Sequence, residues 1–386
     1  LMDDNNIRIE KLILNNYRNH KFLNLNINKD LVLVCGQNGS GKTNILESIS
    51  LYDSPNGFKG SSLNEIINSE MKTPIEMFGV NALFRFGNQT SKIGLGLTKG
   101  SYSYQKIISI DGKKSSKKKN EGLISVFWVI PKMTFLFLDN SEERRKFIDM
   151  MISCIDKSFK ESLKNYEKFK NERLQILKKW GYKSSEWLNA VEMSMASIGL
   201  IICDARRNFV KELNKNFDNI IFGFPILKLE LTGELDRLLK EKPALEVEEI
   251  FLNTLNVNRK KDFFTGRTNF GANKTDLLVY EKKNRRNARS FSTGQQKVIV
   301  FSLFFSFLKY LEINSYKKIV FLLDDIFSYL DEKFIFNVLD RLRDLKVQTW
   351  MTDVRGGLIS ADKRFSSIID KINIDDKRFK VRDNKL

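Results

Sequence analysis

The eight residues Gly36-Gln37-Asn38-Gly39-Ser40-Gly41-Lys42-Thr43 complete the pattern G-x-x-x-x-G-K-[ST], and no other feature constrains the chain so tightly. A loop of this kind needs a buried strand before it and a helix after it. Both are legible. Leu31-Val32-Leu33-Val34-Cys35 is a short apolar run, and residues 42–51 place Ile45, Leu46 and Ile49 at helical spacing. The glycines keep Cβ atoms away from successive backbone N–H groups, which can then wrap a phosphate. The helix N-terminus adds its dipole, Lys42 reaches the β/γ-phosphates, and the Thr43 hydroxyl is a ligand for Mg²⁺.

A second element completes the chemistry. Ile319-Val320-Phe321-Leu322-Leu323 reads as a buried strand ending in Asp324-Asp325. Asp324, at the strand tip, is placed to hold Mg²⁺ directly or through water, and Asp325 to orient and deprotonate an attacking water. The alternative is a strand that merely ends in solvated aspartates. Some thirty residues upstream, Phe291-Ser292-Thr293-Gly294-Gln295-Gln296 precedes a strongly apolar helix. A Ser-x-Gly turn at a helix start presents free N–H groups and a hydroxyl to an anion, although an ordinary N-cap would explain Ser292 alone. A second phosphate site in one chain suggests use in trans, with Ser292 and Gly294 of one subunit closing over the γ-phosphate of the other.

Composition narrows the class. The 386 residues are 42% hydrophobic, enough for a sizeable core, and suggest two or three domains or one with an insertion. Cys35, Cys154 and Cys203 are far apart and predict neither a disulfide framework nor a zinc site, as in a reducing cytoplasm. A single histidine, His20, excludes a Ser-His-Asp triad and His-rich metal chemistry. It lies in a polar turn and reads as a surface residue. No apolar stretch reaches the length of a membrane span, and the acidic, polar first residues are not those of a signal peptide. No membrane partner is expected, and the expected location is the cytoplasm.

The formal net charge is +18, from 65 Lys and Arg against 47 Asp and Glu. A polyanion partner, DNA, explains it; so does the Lys, Asn and Ile bias of an AT-rich genome. The first reading is preferred. The run Lys113–Lys119 is either a DNA contact or a solvated hairpin tip, with Arg206, Arg207 and Lys211 as the next candidates.

Along the chain, residues 7–35 alternate as β structure, and residues 80–130 alternate again in short runs separated by Gly87-Asn88, Lys99-Gly100 and Asp111-Gly112. The second group, including 123–130, predicts an antiparallel layer beside the nucleotide-binding sheet. Asn140 opens a helix, with Glu143 completing a capping box. Residues 156–220 predict two long helices broken at Trp180-Gly181, with Trp187, Val191, Met195, Ile198, Ile202, Ala205, Phe209 and Leu213 on one face. Residues 226–231 return to a strand and 246–261 to a helix. From 277 the α/β character resumes.

These motifs, in this order, resemble the ATP-binding cassette ATPases. The long separation of phosphate loop and paired aspartates points to the structural-maintenance branch, and the absence of a coiled coil to the RecF family. Asn15-Asn16-Tyr17-Arg18-Asn19 is similar to the family's N-F-R-N-Y. Residues 38–49 resemble N-G-x-G-K-T-N-L-L-E-A-I, Arg144-Arg145-Lys146-Phe147-Ile148-Asp149 resembles R-R-R-F-L-D, and residues 322–331 resemble L-L-D-D-V-x-S-E-L-D. Departures stand beside these. Gly271-Ala272-Asn273-Lys274-Thr275-Asp276-Leu277 replaces G-P-H-R-x-D-L, Lys132 stands where the family offers Glu or Gln, and Thr352 falls at a switch position held by histidine in transporters.

The resemblance implies an α/β fold: an ABC-type ATPase head, with a mixed sheet around the phosphate-loop helix, an antiparallel β layer and an inserted, mostly helical second lobe. The expected domains are 1–150 (head, N-terminal part), 151–265 (inserted lobe) and 266–386 (head, C-terminal part). ATP and Mg²⁺ are the implied ligands. Asp325 and Lys42 are catalytic. Gly36, Gln37, Asn38, Gly39, Ser40, Gly41, Lys42, Thr43, Arg18, Ser292, Gly294, Gln295 and Asp331 bind the nucleotide, and Thr43 and Asp324 hold the metal. The implied function is that of a recombination mediator: an ATPase that dimerises on ATP, binds DNA at gaps and assists RecA loading, with RecR and RecO as partners and slow hydrolysis. Two other readings remain. One is a transporter-type subunit, for which the inserted lobe is too large. The other is an overcoming-lysogenisation type head, which needs a further carboxylate-rich metal domain.

Overall fold

The computed structural model describes residues 6–54, 56–68, 78–99, 104–115, 124–183, 185–217, 224–316, 318–325, 327, 331–345, 347–353 and 363–376. The chain divides into two compact units, residues 1–131 with 314–386, and residues 132–313.

The first unit carries two sheets. Strands β1 (Ile7–Tyr17), β2 (His20–Asn26), β4 (Gly79–Phe86), β5 (Gln89–Lys99), β6 (Tyr104–Ile110) and β7 (Lys113–Ser115) form an antiparallel sheet in the order β2-β1-β4-β5-β6-β7. Strands β3 (Leu31–Cys35), β8 (Ser125–Val129), β11 (Ile319–Leu323), β12 (Thr349–Asp353) and β13 (Ile369–Asn373) form a parallel sheet in the order β13-β3-β12-β11-β8. The residue patterns match these roles. In β1 the buried residues alternate, as in a sheet with one covered face, whereas β3, β11 and β12 are buried throughout. One apolar cluster joins Leu12 and Leu14 of β1 and Val32, Val34, Val320 and Trp350 of the parallel strands with Ile45, Leu46 and Ile49 of the Lys42–Ser50 helix. The Gln348 amide bridges the sheets: it accepts from Ile9 N at 2.8 Å and donates to Ile9 O at 2.9 Å, beside the register shift of β1.

The segment 123–130 departs from the sequence expectation. It does not extend the antiparallel layer. Its strand β8 pairs in parallel with β11, at the edge of the nucleotide sheet. A short apolar run, Ser125-Val126-Phe127-Trp128-Val129, has no alternation to say which sheet it joins.

The second unit holds the helices Ser141–Ile155, Lys157–Trp180, Glu186–Asn216, Glu234–Glu241, Ala244–Val257, Arg259–Thr265 and Thr293–Ile313, with an antiparallel pair, β9 (Leu227–Thr232) and β10 (Asp276–Glu281). Asn140 caps the first helix by accepting from the N–H groups of Glu142 and Glu143. Gly181, at φ 80°, closes the second. The long third helix buries Val191, Met195, Ile202, Phe209 and Leu213, whereas Trp187 is exposed. Two buried charge clusters tie these helices together. Arg173 donates to Glu192 at 2.8 Å and Asp262 at 2.7 Å, and Arg206 donates to both Asp149 oxygens at 2.7 Å.

In sequence the compact units change over at 131/132 and 313/314. Two further expectations change here. The Ser141–Ile155 helix packs with β10, Arg144 pairs with Asp276 at 2.8 Å, and β10 pairs with β9 rather than entering the nucleotide sheet. Arg206, a candidate DNA contact, is buried against Asp149 and the Ala272 carbonyl. By length and composition the Glu186–Asn216 helix could cross a membrane. Its apolar face is instead a packing face, on which Glu192 and Arg206 are also buried and paired.

Candidate nucleotide site

Because the second sheet is parallel, the strand ends that face one edge are Cys35, Leu323, Asp353 and Asn373. The residues that follow them build one site. Pairing of Leu323 with Met351 sets Asp324 beside Thr352, and pairing of Cys35 with Asn373 sets Gly36 near Ile374 and Asp375. Ligands in open α/β sheets bind at this carboxyl edge.

Gly41 has φ 100°, a backbone conformation that suits glycine, and a Cβ there would stand 2.5 Å from Asn19 and 2.6 Å from His20. Asn19 donates to the Ser40 carbonyl at 3.0 Å, Asn44 donates to Asn19 at 2.8 Å, and His20 Nε2 lies 3.2 Å from the Gly41 carbonyl. The β1–β2 turn therefore clamps the phosphate loop, and His20 is buried rather than a surface residue. Gln37 N donates to Asp375 at 3.0 Å on the other side. Lys42 Nζ donates to the carbonyls of Gly36 at 2.7 Å and Gln37 at 2.9 Å, so one of its three protons remains for a phosphate. The Ser40 hydroxyl oxygen is buried and has no hydrogen-bond partner among the described residues. A polyanion on the loop would satisfy it.

Thr43 Oγ1 lies 2.9 and 3.1 Å from the two Asp324 oxygens. Thr352 Oγ1 donates to Asp324 Oδ1 at 2.9 Å and accepts from Asp325 N at 2.8 Å. The Thr352 proton is thereby engaged by Asp324. Burial pushes the Asp324 carboxyl above the usual aspartate range, against the opposing hydrogen bonds from Thr352 and Thr43. Asp325 has φ 44°, a left-handed turn directly after the strand. A hydroxyl, a carboxylate and the phosphates of a nucleotide make the donor set that Mg²⁺ takes, with one or two protein ligands and several waters. No cluster of three or more His, Cys, Asp or Glu stands among the described residues, and Mg²⁺ needs none.

Arg18 sits in the same β1–β2 turn as Asn19, also at positive φ. Its Nε donates to Glu47 at 2.8 Å, its Nη2 contacts the other Glu47 oxygen and the Ser61 hydroxyl, and its Nη1 donates to the Glu65 carbonyl. Glu47 is fully buried on the phosphate-loop helix. Sequence reasoning missed Glu47, Asn19 and Asn44 as supports of the loop. Their signal was present in the segments that matched the family pattern.

The Ser-x-Gly turn at residues 291–296 lies in the second unit. Ser292 caps the Thr293–Ile313 helix: Gln295 N donates to its hydroxyl at 3.4 Å, and Ser292 N donates back to Gln295 Oε1 at 3.2 Å. Gly294 is exposed, with open space where a Cβ would stand. Asp331 is exposed at the start of the Glu332–Leu345 helix; residues 328–330 lie outside the described residues.

Relatives place this geometry. A family model for the RecF/RecN/SMC N terminal domain matches residues 8–373. The DNA replication and repair protein RecF of Rickettsia typhi is 33% identical over 359 residues, spanning 90% of this chain and 94% of its own length. The chain belongs to the RecF family. The RecF of Rickettsia prowazekii is 31% identical over the same shares. A solved structure of the recombination mediator protein RecF-ATPrS in the RecFOR pathway covers 96% of this chain and 97% of its own, at 25% identity and TM-score 0.79. The SMC head of Pyrococcus furiosus, at 16% identity and TM-score 0.52, shares the fold. The fold is that of the ABC-type ATPase heads.

Proposed function

We propose that this chain is an ATP-dependent recombination mediator of the RecF kind. The observation that carries the reading is the Thr43–Asp324–Thr352–Asp325 chain of hydrogen bonds at the edge of a phosphate loop, in a chain whose relatives include a RecF–ATP structure.

Residues 36–43 take the triphosphate, with Lys42 supplying positive charge to the β/γ-phosphates. Thr43 and Asp324 hold Mg²⁺, which supplies charge neutralisation at the phosphates when bound. Asp325 orients the attacking water and accepts its proton. Ser292, Gly294 and Gln295 of a second copy close the γ-phosphate, and Asp331 lines that contact, so that ATP joins two chains. Arg18 acts through Glu47, fixing the helix that carries the loop. Hydrolysis is slow, because Lys132 cannot ligate a cation and the Thr352 proton is held by Asp324. The dimer binds duplex DNA through phosphates, independently of sequence, at gaps where RecA is loaded. RecR and RecO are its partners, in the cytoplasm.

Filter binding of duplex DNA with ATP and with ADP tests the reading. Retention only with ATP, lost steeply with salt, supports it. Salt-insensitive or absent retention with ATP contradicts it, and leaves the transporter-type and overcoming-lysogenisation readings.

A further inference from the structure

The second unit carries an aromatic patch that none of this uses. At the end of the Lys157–Trp180 helix, Trp180 packs on Trp187, ring centroids 5.2 Å apart and tilted by 57°. Two residues on, Tyr182 meets Phe263 edge-on at 5.8 Å, and Phe263 meets Phe264 at 5.1 Å. These rings are not core. Trp180 is 55% exposed, Trp187 51%, Tyr182 42% and Phe264 71%. Single exposed aromatics need no explanation, but two groups of contacting exposed rings that meet the chain two residues apart, at Trp180 and Tyr182, do.

The ring positions are fixed rather than loose. The Trp187 indole N–H donates to Glu172 at 2.8 Å, and Gly181 N closes the helix end on the Leu177 carbonyl at 2.9 Å. The surroundings are cationic. Lys178, Lys179, Lys183, Lys260, Lys261 and Arg267 are exposed in the same two segments, and none has an ion-pair partner among the described residues. Lys179 Nζ lies 4.6 Å from the Trp180 ring centre. Of the acidic residues there, Asp262 is buried on Arg173, Glu172 accepts from the Trp187 indole, and Glu186 is exposed, so the cations outnumber the exposed carboxylates. Exposed π-faces ringed by unpaired cations complement an unstacked polyanion: bases lie on the rings while phosphates meet the ammonium groups. A duplex, whose bases are already stacked, offers only its phosphates.

We propose that this patch is a binding site for single-stranded DNA, with Trp180, Trp187, Tyr182 and Phe264 as base-stacking platforms. The proposal rests on the reading of the chain as a DNA-binding ATPase, and adds a second, strand-specific surface to it.

Of the four tryptophans, Trp350 is buried and Trp128 half-buried, so Trp180 and Trp187 report directly on the patch. Titrating the full chain with a short oligo(dT) should quench its tryptophan emission, and a duplex of equal length should quench it much less. Trp180→Ala/Trp187→Ala and Tyr182→Ala/Phe264→Ala, checked by circular dichroism for an intact fold, should each weaken oligo(dT) binding by at least about 5-fold, the low end of the loss of a single stacked base, and by more where both rings of the pair carry a base. Duplex retention on filters should stay within about twofold. Unchanged oligo(dT) affinity in both variants overturns the proposal. An unchanged affinity with a loss of self-association assigns the patch to a second copy and overturns it equally. Equal losses for both kinds of DNA also overturn it. If the parent chain binds neither oligo(dT) nor duplex, both the patch and the DNA-binding reading fail; binding of duplex alone sinks only the patch.

Discussion

Thr352 Oγ1 donates to Asp324 Oδ1 at 2.9 Å while accepting the Asp325 N–H at 2.8 Å, so one hydroxyl positions both aspartates of the pair. Thr352→Val keeps the shape and removes that hydroxyl. The variant should lose about 1–3 kcal/mol of stability in urea unfolding, the cost of stranding buried polar groups. ATP hydrolysis should fall with it, and Thr352→Ser should restore both. A valine variant with wild-type hydrolysis would show that Asp325 is positioned by other contacts.

Asp324 gives a pH-dependent prediction. Its folded-state pKa lies above the usual aspartate value because the carboxyl is buried. Stability from a raised pKa is present at low pH and lost as pH rises through the folded value. Asp324→Asn, which never ionises, should therefore raise the Tm of the ligand-free protein at neutral pH. The gain should shrink as pH falls towards about 4. Mg²⁺-dependent nucleotide binding should be lost in the same variant. A lower Tm at neutral pH would contradict the assignment of strain to this carboxylate.

The Arg18–Glu47 pair separates a supporting role from a ligand role. Arg18→Met leaves the Glu47 carboxylate buried, with Lys59 3.6 Å away as its remaining cation. The loss should fall at the low end of the ~3–5 kcal/mol typical of a broken buried pair. Arg18→Met/Glu47→Leu should recover most of it, measured by urea unfolding. Weakened ATP binding in the stable double variant would return Arg18 to the set of direct nucleotide ligands.

The phosphate loop, the paired aspartates and the capped helices were legible because each is local: a strand, a turn chemistry and a helix start in consecutive residues. Strand β8 and β10 were not, since a short apolar run carries no record of which sheet it joins. His20 read as a surface residue for the same reason. Only the fold brings the Gly41 carbonyl to its ring. Arg206 shows the opposite failure, a basic residue at a helical position whose partner, Asp149, lies on another helix. Charge counts cannot distinguish an arginine that meets DNA from one that holds a core together.

Lys113 and Lys114 stand exposed on β7, the edge strand of the antiparallel sheet; residues 116–119 of the same run lie outside the described residues. Lysine on an edge strand blocks pairing with another chain. Lys113→Gln/Lys114→Gln should accordingly leave the salt slope of duplex binding in place. A slope reduced by about 1.8 would assign both to phosphate contacts.

Asp325→Asn keeps the side-chain shape and removes the base, so hydrolysis should drop on the order of 10²–10⁴-fold with ATP affinity little changed. Its nucleotide-bound state should outlast that of the parent chain, and the rate of ADP release from a single-turnover reaction checks it. Equal phenotypes for Asp325→Asn and Asp324→Asn would merge the two roles.

Sedimentation velocity of the full chain with Mg²⁺ and either ATP or ADP reads the central claim, that ATP joins two copies through the Ser292-Thr293-Gly294 turn. The account predicts a dimer with ATP and a monomer with ADP, and a Ser292→Arg variant that binds ATP yet stays monomeric. The same species with both nucleotides, or a Ser292→Arg variant that still dimerises on ATP, would contradict it.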